Sequence, residues 1–180
     1  MNNNKALLII DMQKGSFTDK IHRFDTKGVV NRINSLAKQF RDSNSPVIYI
    51  QHDGTVGNAF LPNTSDWEIL DELEVEQGDI RMNKYANDVF YNTNLKSLLT
   101  ELKVSDLFIT GCATDFCVES TIQSALTKDY EVTVVSDAHT TGNRPHLSAE
   151  KVIEHYNWVW QNMIPTKGKI TVSTFKDLQN

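Results

Sequence analysis

Strand-like and helix-like segments alternate along almost the whole chain, and that alternation limits its fold more than any other feature. Lys5 to Ile10 (KALLII) is an apolar run of strand length that ends at Asp11. Val29 to Arg41 carries apolar residues at 29, 30, 33, 36, 37 and 40, the spacing of an amphipathic helix. Further strands are predicted at Pro46 to Ile50, Asp79 to Asn83, 106–110 (DLFIT), Glu131 to Ser136 and Ile170 to Ser173. Helices are predicted over Asn94 to Leu102, from just after Cys117 to Lys128, and over Leu147 to Met163. Strands separated by helices imply parallel pairing, because a parallel connection needs a crossover, and the crossover helices then cover the sheet. No repeat, linker or low-complexity tract divides the sequence. The expectation is a single α/β domain over residues 1–180, a three-layer, doubly wound, six-stranded parallel sheet with helices on both faces.

Sheets of this kind bind ligands at the carboxyl ends of their strands, near a switch in strand order. Three chemically capable residues fall there: Asp11 after the first strand, Lys84 after the third, and Cys117 shortly after the fourth. If the first and fourth strands are neighbours, all three face one crevice. Cys117 closes the segment GCATDFC (Gly111 to Cys117), a strand-to-helix turn where unpaired N–H groups and the helix dipole favour thiolate over thiol. The same amides, those of Ala113 and Cys117, can form an oxyanion hole. Asp11 can accept the thiol proton and return it to a leaving amine, while Lys84 stabilises both charges. Taken singly, each has a plainer fate: a buried structural cysteine, a turn aspartate, a solvated lysine.

Composition excludes several other roles. A net charge of −5 with scattered Lys and Arg argues against a nucleic-acid surface. No apolar run is long enough to span a bilayer, and MNNNKALLIIDMQ lacks the length and cleavage site of a signal peptide, so a cytoplasmic protein is expected. Two cysteines five residues apart indicate neither a disulfide framework nor a standard metal spacing. Residues 51–78, with Gly54, Gly57 and Pro62, form a stretch of weak periodicity long enough to suggest a functional loop.

Three blocks in order resemble the isochorismatase-like cysteine hydrolases, which include nicotinamidases and carbamoylsarcosine amidases. They are LLIIDMQKGSF (Leu7 to Phe17), KYANDVFYNTNL (Lys84 to Leu95) and ITGCATDFCVESTIQSALTKDYEVTVVSDAHTT (Ile109 to Thr141). The resemblance implies a catalytic triad of Asp11, Lys84 and Cys117, and a non-proline cis peptide at Cys112–Ala113 before the oxyanion hole. It also implies that Thr114 and Asp115 hold the turn by side-chain hydrogen bonds. The implied reaction is hydrolysis of a C–N bond in a small amide-type substrate through a thioester on Cys117, with no cofactor.

The sequence also departs from relatives. The Asp-x-His metal pattern of nicotinamidases is missing; His52 and Asp53 are adjacent, and adjacent strand residues point to opposite faces, so no metal is expected. Phe17, His52, Phe60 and Trp67 are the candidate pocket residues, and Arg144 a candidate for a substrate carboxylate. His139 and His146 read as loop histidines. Trp158 and Trp160, in the late helix near His155, suggest a subunit interface and hence a homo-oligomer, dimer or tetramer. The alternatives are isochorismatase-type vinyl-ether hydrolysis, a silent binding protein of the same fold, and redox chemistry at Cys112 and Cys117. A haloacid-type phosphatase is excluded because it needs an acid where Gln13 stands.

Overall fold

In a computed structural model of the chain, the structure describes residues 4–55 and 59–179; Gly57 of the long loop lies outside them. Six strands, β1 (Lys5–Ile10), β2 (Val47–His52), β3 (Ile80–Lys84), β4 (Asp106–Cys112), β5 (Glu131–Thr140) and β6 (Ile170–Ser173), form one sheet. Their order is β3-β2-β1-β4-β5-β6 and every pairing is parallel. The order reverses between β1 and β4, which places the switch point where Asp11 and the Gly111–Cys117 segment emerge side by side. Four helices complete the layers: α1 (Thr26–Asp42), α2 (Leu95–Glu101), α3 (Glu119–Leu126) and α4 (Ala149–Gln161).

The run Ala6–Ile10 is buried throughout because β1 is central and covered on both faces. Its alternating side chains divide the core. Ala6, Leu8 and Ile10 pack with residues of α2, α3 and Trp160, whereas Leu7 and Ile9 pack with the apolar stripe of α1, Val29 to Phe40. The layers are unequal. Three helices cover the first face; α1 covers the second together with Leu70, Leu73 and the C-terminal Phe175 and Leu178.

Differences from the predicted elements cluster at the carboxyl ends of the strands. β2 runs on through Gln51 and His52, which pair with Asn83 and Lys84 of β3. β4 reaches Cys112, and β5 continues past Ser136 to Thr140 across a register irregularity, so that His139 lies beside Gly111 and Thr140 beside Cys112. These residues are polar, so hydrophobic patterning ends the strands early, although the backbone pairing continues. Gly111 has φ +121°, and a Cβ there would sit 2.2 Å from the Ile10 carbonyl oxygen. Only glycine allows β4 to pass this close to β1.

The interface expectation fails for Trp160, which is fully buried and donates its indole N–H to Glu119, while Trp158 is exposed. Period 3.6 carries one tryptophan into the core and its neighbour two residues on to the opposite side. His139, expected in a loop, is a buried strand residue; His146 is exposed. No helix among the described residues is long and apolar enough to cross a membrane.

Candidate active site

Asp11, Lys84 and Cys117 meet at the switch point. Asp11 follows β1 with φ 48°, a left-handed conformation that aspartate tolerates better than most side chains, and its N–H donates to the Ile50 carbonyl. Lys84 ends β3 and is fully buried. Its ammonium lies 2.7 Å from Asp11 Oδ2, 3.3 Å from Cys117 Sγ, 3.0 Å from the Ala86 carbonyl oxygen and 3.3 Å from His52 Nδ1. A buried ammonium is tolerated only with such partners, so Lys84 is not the solvated surface charge that a lone lysine usually is.

The second carboxylate oxygen, Asp11 Oδ1, is buried and accepts no hydrogen bond among the described residues. Burial pushes the Asp11 carboxyl above the usual carboxylate range, against the opposing pull of Lys84 and the Cys117 thiol. Cys117 is shifted in the same direction. Burial raises its thiol well above the ordinary cysteine value, the Asp11 charge raises it further, and Lys84 offsets part of the rise. Desolvation thus works against the stabilisation of a thiolate that position at the turn and the ammonium provide. His52 is pushed down, first by burial and then by Lys84, and stays neutral at pH 7.

The turn after β4 is built around a cis peptide at Cys112–Ala113 and one π-helical turn, Thr114–Val118, that leads into α3. The Phe116 and Val118 N–H groups both donate to the Ala113 carbonyl. Side chains anchor the turn from behind. Thr114 Oγ1 lies 2.9 Å from His139 Nδ1, and His139 Nε2 lies 3.0 Å from Asn157 Oδ1 of α4. Because Asn157 Oδ1 accepts, His139 carries its proton on Nε2 and Thr114 donates to Nδ1. Burial holds His139 down at about 4, which keeps this chain neutral. Asp115 accepts from Thr141 at 2.7 Å and from Arg144 at 2.7 and 2.8 Å. Arg144 is thus committed to Asp115 and does not serve a substrate carboxylate.

A cleft of about 510 Å³ opens onto these groups, lined among others by Asp11, Cys112, Ala113 and Cys117. Two of the four candidate pocket residues belong to it. His52 and Phe60 line the wall, ring edge to face at 6.1 Å. Phe17 does not; it packs against the core face covered by α1. Trp67 supports the site from behind, its indole N–H donating to Asp53 Oδ1 at 2.6 Å and its carbonyl accepting from Gln13 and Gln51. Aromatic type alone carries no direction, so it did not separate wall from support. The unforeseen lining residues are Gln13, Ser16, Arg23, Tyr85, Asn87 and Phe116. Tyr85 and Asn87 lie in the Lys84 block and Phe116 in the cysteine block, so proximity along the chain was the available signal.

His52 and Asp53 both line the cleft, because Asp53 lies beyond the end of β2 and strand alternation no longer separates them. Asp53 accepts from Trp67 and, at 3.0 Å to each oxygen, from Asn83, while His52 Nδ1 faces the Lys84 ammonium. No group of three or more His, Cys, Asp or Glu among the described residues is placed to hold a metal ion.

The family model of the isochorismatase domain matches residues 5–164. This chain belongs to the isochorismatase family. Membership makes it a hydrolase, and its six-stranded parallel sheet is the family's fold. It is 31% identical to the ureidoacrylate amidohydrolase RutB of Caulobacter vibrioides over 175 positions, covering 76% of this chain and 77% of RutB. It is also 31% identical to a streptothricin hydrolase of Streptomyces noursei over 143 positions, 78% of this chain but just over half, 56%, of that protein. The crystal structure of an isochorismatase from Pseudomonas putida KT2440 superposes with a TM-score of 0.89 at 26% identity, covering 97% of this chain and 89% of that one.

Proposed function

We propose that this isochorismatase-family hydrolase cleaves a C–N bond of a small amide-type substrate through a covalent thioester on Cys117. The observation that carries the reading is the convergence of three groups at the floor of one cleft. They are a buried thiol, a carboxylate with one oxygen unpartnered among the described residues, and an ammonium 2.7 Å from that carboxylate and 3.3 Å from the sulfur. The relatives include an amidohydrolase, RutB.

As the Cys117 sulfur attacks the carbonyl carbon, its proton passes to Asp11, and Lys84 stabilises the sulfur as its negative charge develops. The Ala113 and Cys117 amides hold the oxyanion. The tetrahedral adduct collapses, the C–N bond breaks, and Asp11 gives the proton to the departing nitrogen, leaving a thioester. A water molecule then loses a proton to Asp11 and attacks the thioester carbon. The C–S bond breaks, the acid departs, and Asp11 returns the proton to Cys117. The raised Asp11 pKa suits this use, since a carboxyl that gives and takes one proton works best nearer the operating pH than 3.8.

Intact-mass spectrometry after rapid mixing with a panel of small amides and ureas tests the reading. Wild type is expected to gain the mass of the acyl group, with Cys117→Ala gaining none and releasing no product. Full turnover by Cys117→Ala would end the covalent mechanism.

A further inference from the structure

The chain has five arginines, and their surroundings differ in a way that points to the substrate. Arg32 pairs with Asp25 and Asp137, Arg41 with Asp79 and Glu76, and Arg144 with Asp115. Arg81 is exposed and lines a different pocket. Arg23 is half-buried, lines the catalytic cleft, and has no carboxylate partner among the described residues. One donor, Nε, is satisfied by the Ser16 carbonyl at 2.9 Å. That bond orients the guanidinium, and the four Nη hydrogens meet no acceptor of the described chain.

The position of Arg23 is held firmly. Its backbone bridges to Gly142 in antiparallel fashion, and the next residue, Phe24, donates its N–H to the Thr141 carbonyl and accepts from the Thr140 hydroxyl. Thr140 is the end of β5 and lies beside Cys112, so the loop carrying Arg23 is tied to the same strand end that carries the cysteine turn. Its charge reaches the turn, where it is the leading influence drawing the Cys112 thiol down against burial.

The other charged groups of the cleft already have partners within the described chain. Asp11 and Lys84 neutralise each other, Asp53 is capped by an indole and an amide, and His52 is neutral. The remaining walls include the rings of Phe60, Phe116 and Tyr85. A planar guanidinium at the wall of such a space, its Nη hydrogens without an acceptor among the described residues, is suited to a planar anion, which it can grip through two parallel N–H bonds.

We propose that Arg23 is the anion receptor of this cleft, and that the amide cleaved at Cys117 carries a carboxylate or comparable acidic group. The assignment rests on the proposed function and names the class of substrate for the same site. Neutral amides of the same size leave the Arg23 Nη donors without an acceptor and are poor substrates.

Iodoacetate and iodoacetamide test this without a known substrate, because they share size and leaving group and differ in charge. The rate of Cys117 alkylation by each, measured by peptide mass spectrometry, is expressed as the iodoacetate-to-iodoacetamide ratio relative to free cysteine. The ratio cancels any general change in thiol reactivity. It is expected to exceed one in wild type, to fall about tenfold in Arg23→Gln, and to be largely kept in Arg23→Lys, which retains the charge. A ratio unchanged in Arg23→Gln, with Cys117 still alkylated, would overturn the receptor and leave the nucleophile standing. Labelling of Cys117 by neither reagent would overturn both.

Discussion

Two aspartates at opposite ends of the same sheet share an unusual feature and put it to different ends. Asp11, at the carboxyl end of β1, and Asp106, at the start of β4, each have one buried oxygen without a hydrogen-bond partner among the described residues. Burial raises both carboxyls, Asp106 to about 6. Their neighbours differ. Asp11 has the Lys84 ammonium at 2.7 Å on its other oxygen and a thiol nearby. Asp106 has Glu131 across the strand pairing, which pushes its pKa further up. The cation nearest in register, Lys5, lies over the Phe40 and Phe108 rings at 4.7 and 5.7 Å. A strained carboxylate is therefore not a functional sign in itself. It becomes one where a nucleophile, a fixed cation and a cleft accompany it.

Replacing each in turn gives the sharpest contrast. Asp11→Asn is expected to lower kcat by about 10³-fold, because the group that moves the proton is lost. Asparagine is well tolerated at φ 48°, so folding should survive, as circular dichroism can verify. Asp106→Asn is expected to leave kcat within twofold. Comparable losses in the two variants would mean that burial of a carboxylate, rather than its place at the switch point, is what matters.

Lys84→Met bears on the partner that separates the two sites. Asp11 must be ionised in the free enzyme to accept the thiol proton, so kcat/KM rises with pH through the Asp11 pKa. That limb belongs to the coupled carboxyl and thiol, and it lies above the ordinary carboxylate range. Lys84 lowers the Asp11 pKa, so its removal should move the limb to higher pH. The rate at pH 7 should fall by about 10²-fold. A limb that stays in place in a folded, slowed variant would detach Lys84 from the proton transfer.

The sheet and the three meeting residues were legible because each leaves a local mark. Buried parallel strands are short apolar runs, α1 is an apolar stripe, and Asp11, Lys84 and Cys117 stand at or just past strand ends. Legibility failed where the determinant was orientation or desolvation. Trp67 and Phe60 are both aromatic residues of one loop, yet one braces Asp53 and the other lines the cleft. Arg144 and Arg23 cannot be ranked from sequence, since only the fold shows that Asp115 satisfies the first and leaves the second facing the cleft. The desolvation of Cys117 was not legible for a related reason: position at a turn suggests stabilised charge, but burial acts in three dimensions and pulls the other way.

The smallest effect concerns Asp106, which is not among the residues that line the cleft. With a folded pKa of about 6 against about 3.9 in the unfolded chain, Asp106 binds its proton more tightly when folded. Its contribution is fully present below pH 4 and is lost as pH rises through 6. Two units would correspond to about 3 kcal/mol in a fully buried group; Asp106 is partly solvated, which screens this to about 1 kcal/mol. Asparagine cannot ionise, so Asp106→Asn should stabilise the protein by about 1 kcal/mol at pH 7.5, raising Tm by about 2–4 °C, and by nothing near pH 4. Thermal melts of both proteins across that range measure the difference directly. A gain that is equal at both pH values would locate the benefit in packing rather than charge. A loss at pH 7.5 would mean that the ionised carboxylate has a compensating partner, and the contrast with Asp11 would then rest on the nucleophile alone.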